Sequence, residues 1–182
     1  MKNQIANAIT VLRVLMVPVL VYLLLAGEHR AALWVFAAAG VSDALDGFIA
    51  RHFNQFSRFG AILDPIADKS LIGATVLTLA WLGLIPLWLV AVVVARDLVI
   101  LAGATSYRVL VGPFDMEPTL PGKLCTFSQI ALLVAVLIDE GRYVDLGGIL
   151  TGAYVVVALI SVLSGLHYVW LWGGKAIRAG RS

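Results

Sequence analysis

Charge is scarce in this sequence. Only 13% of its 182 residues are Asp, Glu, Lys or Arg and 61% are hydrophobic, whereas a soluble domain averages about 25% and about 45–50%. That imbalance excludes an ordinary water-soluble domain and predicts an integral membrane protein. Cysteine is nearly missing as well. Cys125 is the only one, so there can be no intrachain disulfide and no CxxC metal or redox site. No apolar run alternates with period two, which excludes a barrel and leaves helices. No internal repeat, low-complexity tract or linker divides the chain, and it reads as a single membrane domain over residues 1–182. The first apolar run carries Arg13 inside it and lacks a small-residue cleavage site, so no cleavable presequence is expected. An Arg- and Ser-rich transit peptide is also missing. A net charge of +2 gives no reason to expect a nucleic-acid partner and suits contact with anionic lipid heads.

What is present is a series of long apolar runs. About 20 apolar residues cross a bilayer as a helix, and six stretches qualify: 9–25, 31–50, 62–81, 85–111, 124–138 and 146–172. The predicted fold is therefore an all-α integral membrane protein with six transmembrane helices. Lys and Arg set the orientation. Lys2, Arg51, Arg58, Lys69, Arg108, Lys123, Lys175, Arg178 and Arg181 fall at the amino terminus, the second and fourth loops and the tail. The opposite loops have Arg30 and Arg142, diluted by Glu28, Asp139, Glu140 and Asp145. Both termini are expected in the cytoplasm, and a bacterial cytoplasmic membrane is the simplest location. Trp81, Trp88, Trp170 and Trp172 stand near span ends as interfacial anchors.

Against this apolar background, the stretch SDALDGFIARHFNQFSRFGAILDPIADKS is conspicuous. Asp43 and Asp46 lie near the inner end of the second span, Asp64 and Asp68 near the inner start of the third, so all four share one depth. Charges at the centre of a membrane helix cost roughly 2.5–3.5 kcal/mol each on insertion scales, and they are usually functional. Asp43, Asp46, Gly47 and Ala50 follow i, i+3, i+4, i+7; Gly60, Asp64 and Asp68 follow i, i+4, i+8. Each set occupies one helix face. Four clustered carboxylates cannot all stay ionised without cations. Hard oxygen donors with no Cys or His favour Mg²⁺ or Mn²⁺ over zinc, and two ions about 3.5–4 Å apart could clamp a phosphoryl group. Gly47, Ala50 and Gly60 leave room beside the carboxylates for a diphosphate or nucleotide. Arg51 could pair with phosphate oxygens through its two-pronged guanidinium.

Asp43-x2-Asp46-Gly47-x2-Ala50-Arg51-x8-Gly60-x3-Asp64-x3-Asp68 resembles, without a gap, the signature of the CDP-alcohol phosphatidyltransferases. Asn7 to Pro18, NAITVLRVLMVP, is similar to that family's opening Asn-x2-Thr-x2-Arg-x4-Pro, which makes Asn7, Thr10 and Arg13 additional candidates. The resemblance implies a six-helix membrane enzyme, usually a homodimer, with a polar cavity open to the cytoplasm. It implies transfer of a phosphatidyl group from CDP-diacylglycerol to an alcohol, with release of CMP. On this match Asp43, Asp46 and Asp64 hold two metal ions, and Asp68 completes the cluster and acts as general base. Gly47, Ala50, Arg51 and Gly60 line the site for cytidine and diphosphate.

For the acceptor, Arg96, Arg108 and Lys123 are the expected phosphate contacts. Arg96 and Asp97 sit mid-span and, being adjacent, are expected to point apart. A single Arg-Asp, and the Pro118, Thr119, Lys123, Thr126, Gln129 layout, look closer to the branch of the family whose acceptor is phosphatidylglycerol; glycerol 3-phosphate is the alternative. A rival of another class is a proton- or cation-coupled transporter, since membrane carboxylates also form relays. The lack of inverted repeats and midplane breaks weighs against it. His29, His52 and His167 read as surface or packing residues. Arg13 is expected either to snorkel or to serve the substrate.

Overall fold

A computed structural model describes the backbone of residues 2–53, 58–110 and 119–179, and the side chains of residues 12–42, 69–103, 105–106 and 119–171. Among the described residues there is helix and no strand. Six helices follow one another: α1 Lys2–Leu25, α2 His29–Phe53, α3 Arg58–Trp81, α4 Leu87–Leu110, α5 Leu120–Glu140 and α6 Gly147–Ala179. Each coincides with one of the expected apolar stretches, although α4 is shorter than the expected 85–111 and α6 begins one residue after 146. Most extend beyond it into polar turns.

The helix ends have local causes. α1 stops at Gly27, whose φ of 75° lets Glu28 N–H reach Leu23 O at 2.9 Å and Gly27 N–H reach Leu24 O at 3.1 Å. This is the Schellman closure, which needs a left-handed residue just past the helix. Gly83, at φ 74°, closes α3 in the same way, with Leu84 N–H donating to Leu79 O at 2.9 Å. After α5 the left-handed position is filled by Arg142 at φ 55°, a conformation that costs a side-chain-bearing residue about 1–2 kcal/mol. α5 begins on Thr119, whose Oγ1 accepts from Gly122 N–H at 3.3 Å as an N-cap.

The chain forms two compact units. The first is Met1–Ile85 with Leu133–Leu146, and in it α1 packs against both α2 and α3. Leu20, Leu24, Ala32, Phe36, Ala39, Leu71, Leu79 and Leu137 form its core. Arg30 ties the start of α2 to the end of α5: its Nε donates to Gly141 O at 2.7 Å, and its guanidinium lies 5.1 Å from the centre of the Tyr143 ring. The second unit is Pro86–Leu132 with Gly147–Ser182, built on α4 against α6 around Leu89, Val93, Cys125, Leu132, Leu150 and Val157.

Exposure is inverted relative to a soluble protein. Leu15, Tyr22, Trp34, Leu87, Phe127 and Leu163 are exposed, and Trp81 is 85% exposed, far more apolar surface than water tolerates on a monomer. Leu120–Glu140 and Gly147–Leu171 are each long and apolar enough to cross a bilayer, and only 28% of the latter's apolar stretch is buried. A soluble core helix would be mostly covered; this one presents its apolar side chains outward, as lipid requires. Hydroxyls inside the helices are satisfied locally: Thr75 Oγ1 donates to Leu71 O and Thr78 Oγ1 to Ala74 O, both at 2.7 Å.

Candidate active site

Asp43, Asp46, Gly47, Ala50 and Arg51 lie in the second half of α2, and Gly60, Asp64 and Asp68 in the first turns of α3. Because both stretches are α-helical, the i, i+3, i+4, i+7 and i, i+4, i+8 spacings keep each set on one face. The side chains of these residues, and of Asn7, Thr10 and Arg108, lie outside the described residues. Among the described residues no group of three or more His, Cys, Asp or Glu is arranged to hold a metal ion. The candidate metal donors are the four aspartates. Four hard carboxylates on two helices, joined through a four-residue connection, match a divalent cation.

Arg13 belongs to α1, which packs on both aspartate-bearing helices. It is 0% exposed, so the snorkelling expectation is corrected: the guanidinium is held inside the protein and does not reach out to water.

A second correction concerns Arg96 and Asp97, which were expected to point apart. Arg96 Nη1 instead donates to Asp97 Oδ1 at 2.6 Å. The arginine stem is long enough to fold back along α4, and a lone charge in an apolar span costs more than the restricted rotamer. Arg96 is 8% exposed and Asp97 38%. Its Nη2 donates to Ser164 Oγ of α6 at 2.9 Å, and its guanidinium carbon lies 6.0 Å from the centre of the Tyr168 ring. The stem of Arg96 passes Gly165, where a Cβ would meet Arg96 Cγ at 3.5 Å, ordinary contact, so this packing does not require glycine.

Lys123 stands exposed in the first turn of α5. That turn is also held by α6: Thr119 N–H donates to Tyr168 Oη at 3.4 Å. Deeper along α5, buried Gln129 donates to Cys125 Sγ at 3.5 Å, and Cys125 Sγ lies 3.4 Å from Ser161 Oγ. Sequence reasoning missed Ser161, Ser164, Gly165 and Tyr168. Their signal was available as i, i+3, i+4, i+7, a small and polar stripe along an otherwise apolar helix.

A cavity of about 500 Å³ is lined by Gly27, Glu28, His29, Arg30, Glu140, Gly141 and Arg142. Asp43 lies about 20 Å further along α2 at the helical rise of 1.5 Å per residue. This cavity is separate from the aspartate site.

Residues 3–171 match the CDP-alcohol phosphatidyltransferase family. The chain is 38% identical over 178 residues to a probable phosphatidylglycerophosphate synthase of Mycobacterium tuberculosis, covering 91% of this chain and 80% of that protein. A probable CMP-forming cardiolipin synthase of Drosophila melanogaster is 33% identical over 182 residues, with 91% of this chain and 56% of that protein covered. A CDP-diacylglycerol–glycerol-3-phosphate 3-phosphatidyltransferase of Escherichia coli is 31% identical over 177 residues, covering 93% and 94%.

Proposed function

The chain belongs to the CDP-alcohol phosphatidyltransferase family, whose members are membrane-bound and generally divalent-metal-dependent enzymes, and we propose that it moves a phosphatidyl group from CDP-diacylglycerol to a glycerol-type alcohol, releasing CMP. Phospholipid synthesis is its setting, and the transporter alternative falls with the family membership. The observation that carries the proposal is the helical register of Asp43 and Asp46 on α2 with Asp64 and Asp68 on α3, inside an uninterrupted family signature. Residues 1–182 act as one catalytic domain in this reading, since the family match runs through both compact units.

Asp43, Asp46, Asp64 and Asp68 would hold two Mg²⁺ or Mn²⁺ ions. When bound, these offset negative charge on the entering and leaving oxygens. Arg51 pairs with the diphosphate, and Gly47, Ala50 and Gly60 leave space for it and for cytidine. Asp68 accepts the proton of the acceptor hydroxyl as that oxygen attacks the phosphorus bearing diacylglycerol. The new phosphorus–oxygen bond forms, the bond to CMP breaks, and CMP departs with the electron pair. No covalent enzyme intermediate is needed. Asn7, Thr10 and Arg13 border this machinery from α1. Both termini and the polar cavity face the cytoplasm in this reading, across a bacterial inner membrane spanned six times, and the enzyme works as a homodimer.

Phosphatidylglycerol is the proposed acceptor, supported by the single Arg96-Asp97 pair and the Thr119–Gln129 layout. Glycerol 3-phosphate is the second reading, favoured by the end-to-end match to the Escherichia coli enzyme. Arg108 and Lys123 are proposed to meet the acceptor phosphate directly. Arg96, nearly buried and already paired, contributes through what it holds in place. The test is the lipid made from CDP-diacylglycerol when each acceptor is offered alone. Cardiolipin from phosphatidylglycerol supports the first reading; phosphatidylglycerophosphate as the sole product replaces it with the second.

A further inference from the structure

We infer that Tyr168 is a positioning residue for the acceptor: its ring faces Arg96 while its hydroxyl fixes the turn of α5 that carries Lys123. This rests on the proposed role of Lys123 at the acceptor phosphate.

Six contacts in the second unit make a continuous path. Ser164 and Asp97 hold the Arg96 guanidinium, at 2.9 Å and 2.6 Å. That guanidinium lies 6.0 Å from the Tyr168 ring centre, within cation–π range. At the far end of the ring, Tyr168 Oη accepts from Thr119 N–H at 3.4 Å. Thr119 Oγ1 in turn accepts from Gly122 N–H at 3.3 Å, and Thr119 O from Lys123 N–H at 3.0 Å. The turn Thr119–Lys123 is therefore built against one phenol. Its closeness is recorded at Gly122: a Cβ there would stand 2.9 Å from Tyr168 Oη and 3.3 Å from Tyr168 Cε2 and Thr119 Oγ1. A side chain at this position would have to push the phenol hydroxyl away.

The contact has an economical rationale. A lysine at a helix start is flexible and strongly hydrated, so its reach toward a phosphate depends on where its backbone is held. Small displacements of a binding group cost a reaction heavily. A half-buried phenol whose hydroxyl meets a backbone amide, and whose ring is anchored by a charge that is itself paired, holds that backbone in place. The consequence is specific. Disturbing the hydroxyl should act on the acceptor and leave CDP-diacylglycerol alone, because the aspartate motif lies on α2 and α3 in the other unit.

The experiment uses the full chain in lipid nanodiscs and compares Tyr168→Phe, Gly122→Ala, the Tyr168→Phe/Gly122→Ala double variant and Lys123→Ala. Apparent KM is measured for phosphatidylglycerol, glycerol 3-phosphate and CDP-diacylglycerol, together with thermal stability. Tyr168→Phe keeps the ring and removes the hydroxyl. It should raise the KM of the working acceptor by about 2- to 10-fold, the factor one hydrogen bond carries, with the KM for CDP-diacylglycerol unchanged. Gly122→Ala should be worse than Tyr168→Phe. The double variant should recover acceptor affinity relative to Gly122→Ala, because its 2.9 Å collision is with the deleted oxygen. A wild-type acceptor KM in Tyr168→Phe overturns the inference, as does equal loss for both substrates with a fall in stability, the pattern of a packing residue. A wild-type acceptor KM in Lys123→Ala overturns the acceptor reading beneath it.

Discussion

Arg96→Met removes a charge that the protein keeps 8% exposed, and its cost can be worked from three contacts. The charge-assisted bond to Ser164 at 2.9 Å is worth about 1.5–3 kcal/mol. Pairing with Asp97 is discounted to at most about 1 kcal/mol, because that carboxylate is 38% exposed and screened. The Tyr168 ring contributes roughly 0.5–1 kcal/mol at its 6.0 Å distance. Against these stands the relief of no longer burying a guanidinium. The net expectation is a loss of about 2–4 kcal/mol, or roughly 5–15 °C in Tm for a chain of this size. The assay is thermal unfolding in one fixed detergent. Gly165→Ala serves as a control, since its Cβ would sit 3.5 Å from Arg96 Cγ and should be tolerated. Adding Asp97→Asn to Arg96→Met should cost less than the two single losses summed, as partners in one ion pair are not additive. An unchanged Tm in Arg96→Met, with strict additivity, would refute the idea that this cluster anchors α4 on α6.

Thorough EDTA treatment should abolish CMP release, and Mg²⁺ or Mn²⁺ should restore it; turnover that survives chelation would remove the metal assignment. Asp43→Asn and Asp64→Asn should lose cytidine nucleotide binding and turnover together, whereas Asp68→Asn should keep more affinity while losing turnover. Equal binding defects by calorimetry would make Asp68 only another ligand. Gly27→Ala and Gly83→Ala should each lower stability by about 1 kcal/mol or more, because both glycines sit at positive φ. Arg142→Gly should leave Tm unchanged or raise it, because the left-handed strain it relieves offsets the entropy that glycine adds; a clear fall in Tm would show that its side chain matters more than its backbone.

The six apolar runs were legible because lipid selects hydropathy, and each run coincides with one helix to within two residues or lies inside it. Their ends were not. α5 starts at Leu120 and not at 124, because Thr119 caps it and helical hydrogen bonding does not stop where hydropathy fades. α6 continues to Ala179, past the apolar run that ends at 172, because its hydrogen bonding likewise does not stop where hydropathy fades. α3 ends at Trp81 as expected, with Gly83 supplying the left-handed turn. The aspartate motif was legible as spacing, since i+3 and i+4 steps acquire meaning only on a helix. Arg96 with Asp97 was misread because adjacency was judged by Cβ direction, and a long guanidinium stem defeats that rule. Tyr168 was invisible because its work depends on where α6 meets the start of α5. Local sequence carries no trace of that meeting beyond the stripe it shares with Ser161, Ser164 and Gly165.

The central claim is attack on the phosphorus that bears diacylglycerol, and isotope tracing tests it most directly. CDP-diacylglycerol carrying ³²P only at that phosphorus would be given to the purified enzyme with the acceptor and Mg²⁺. All of the label should enter the product lipid, with unlabelled CMP released in equal amount. Label leaving with the nucleotide, or no CMP release with either acceptor, would contradict the account.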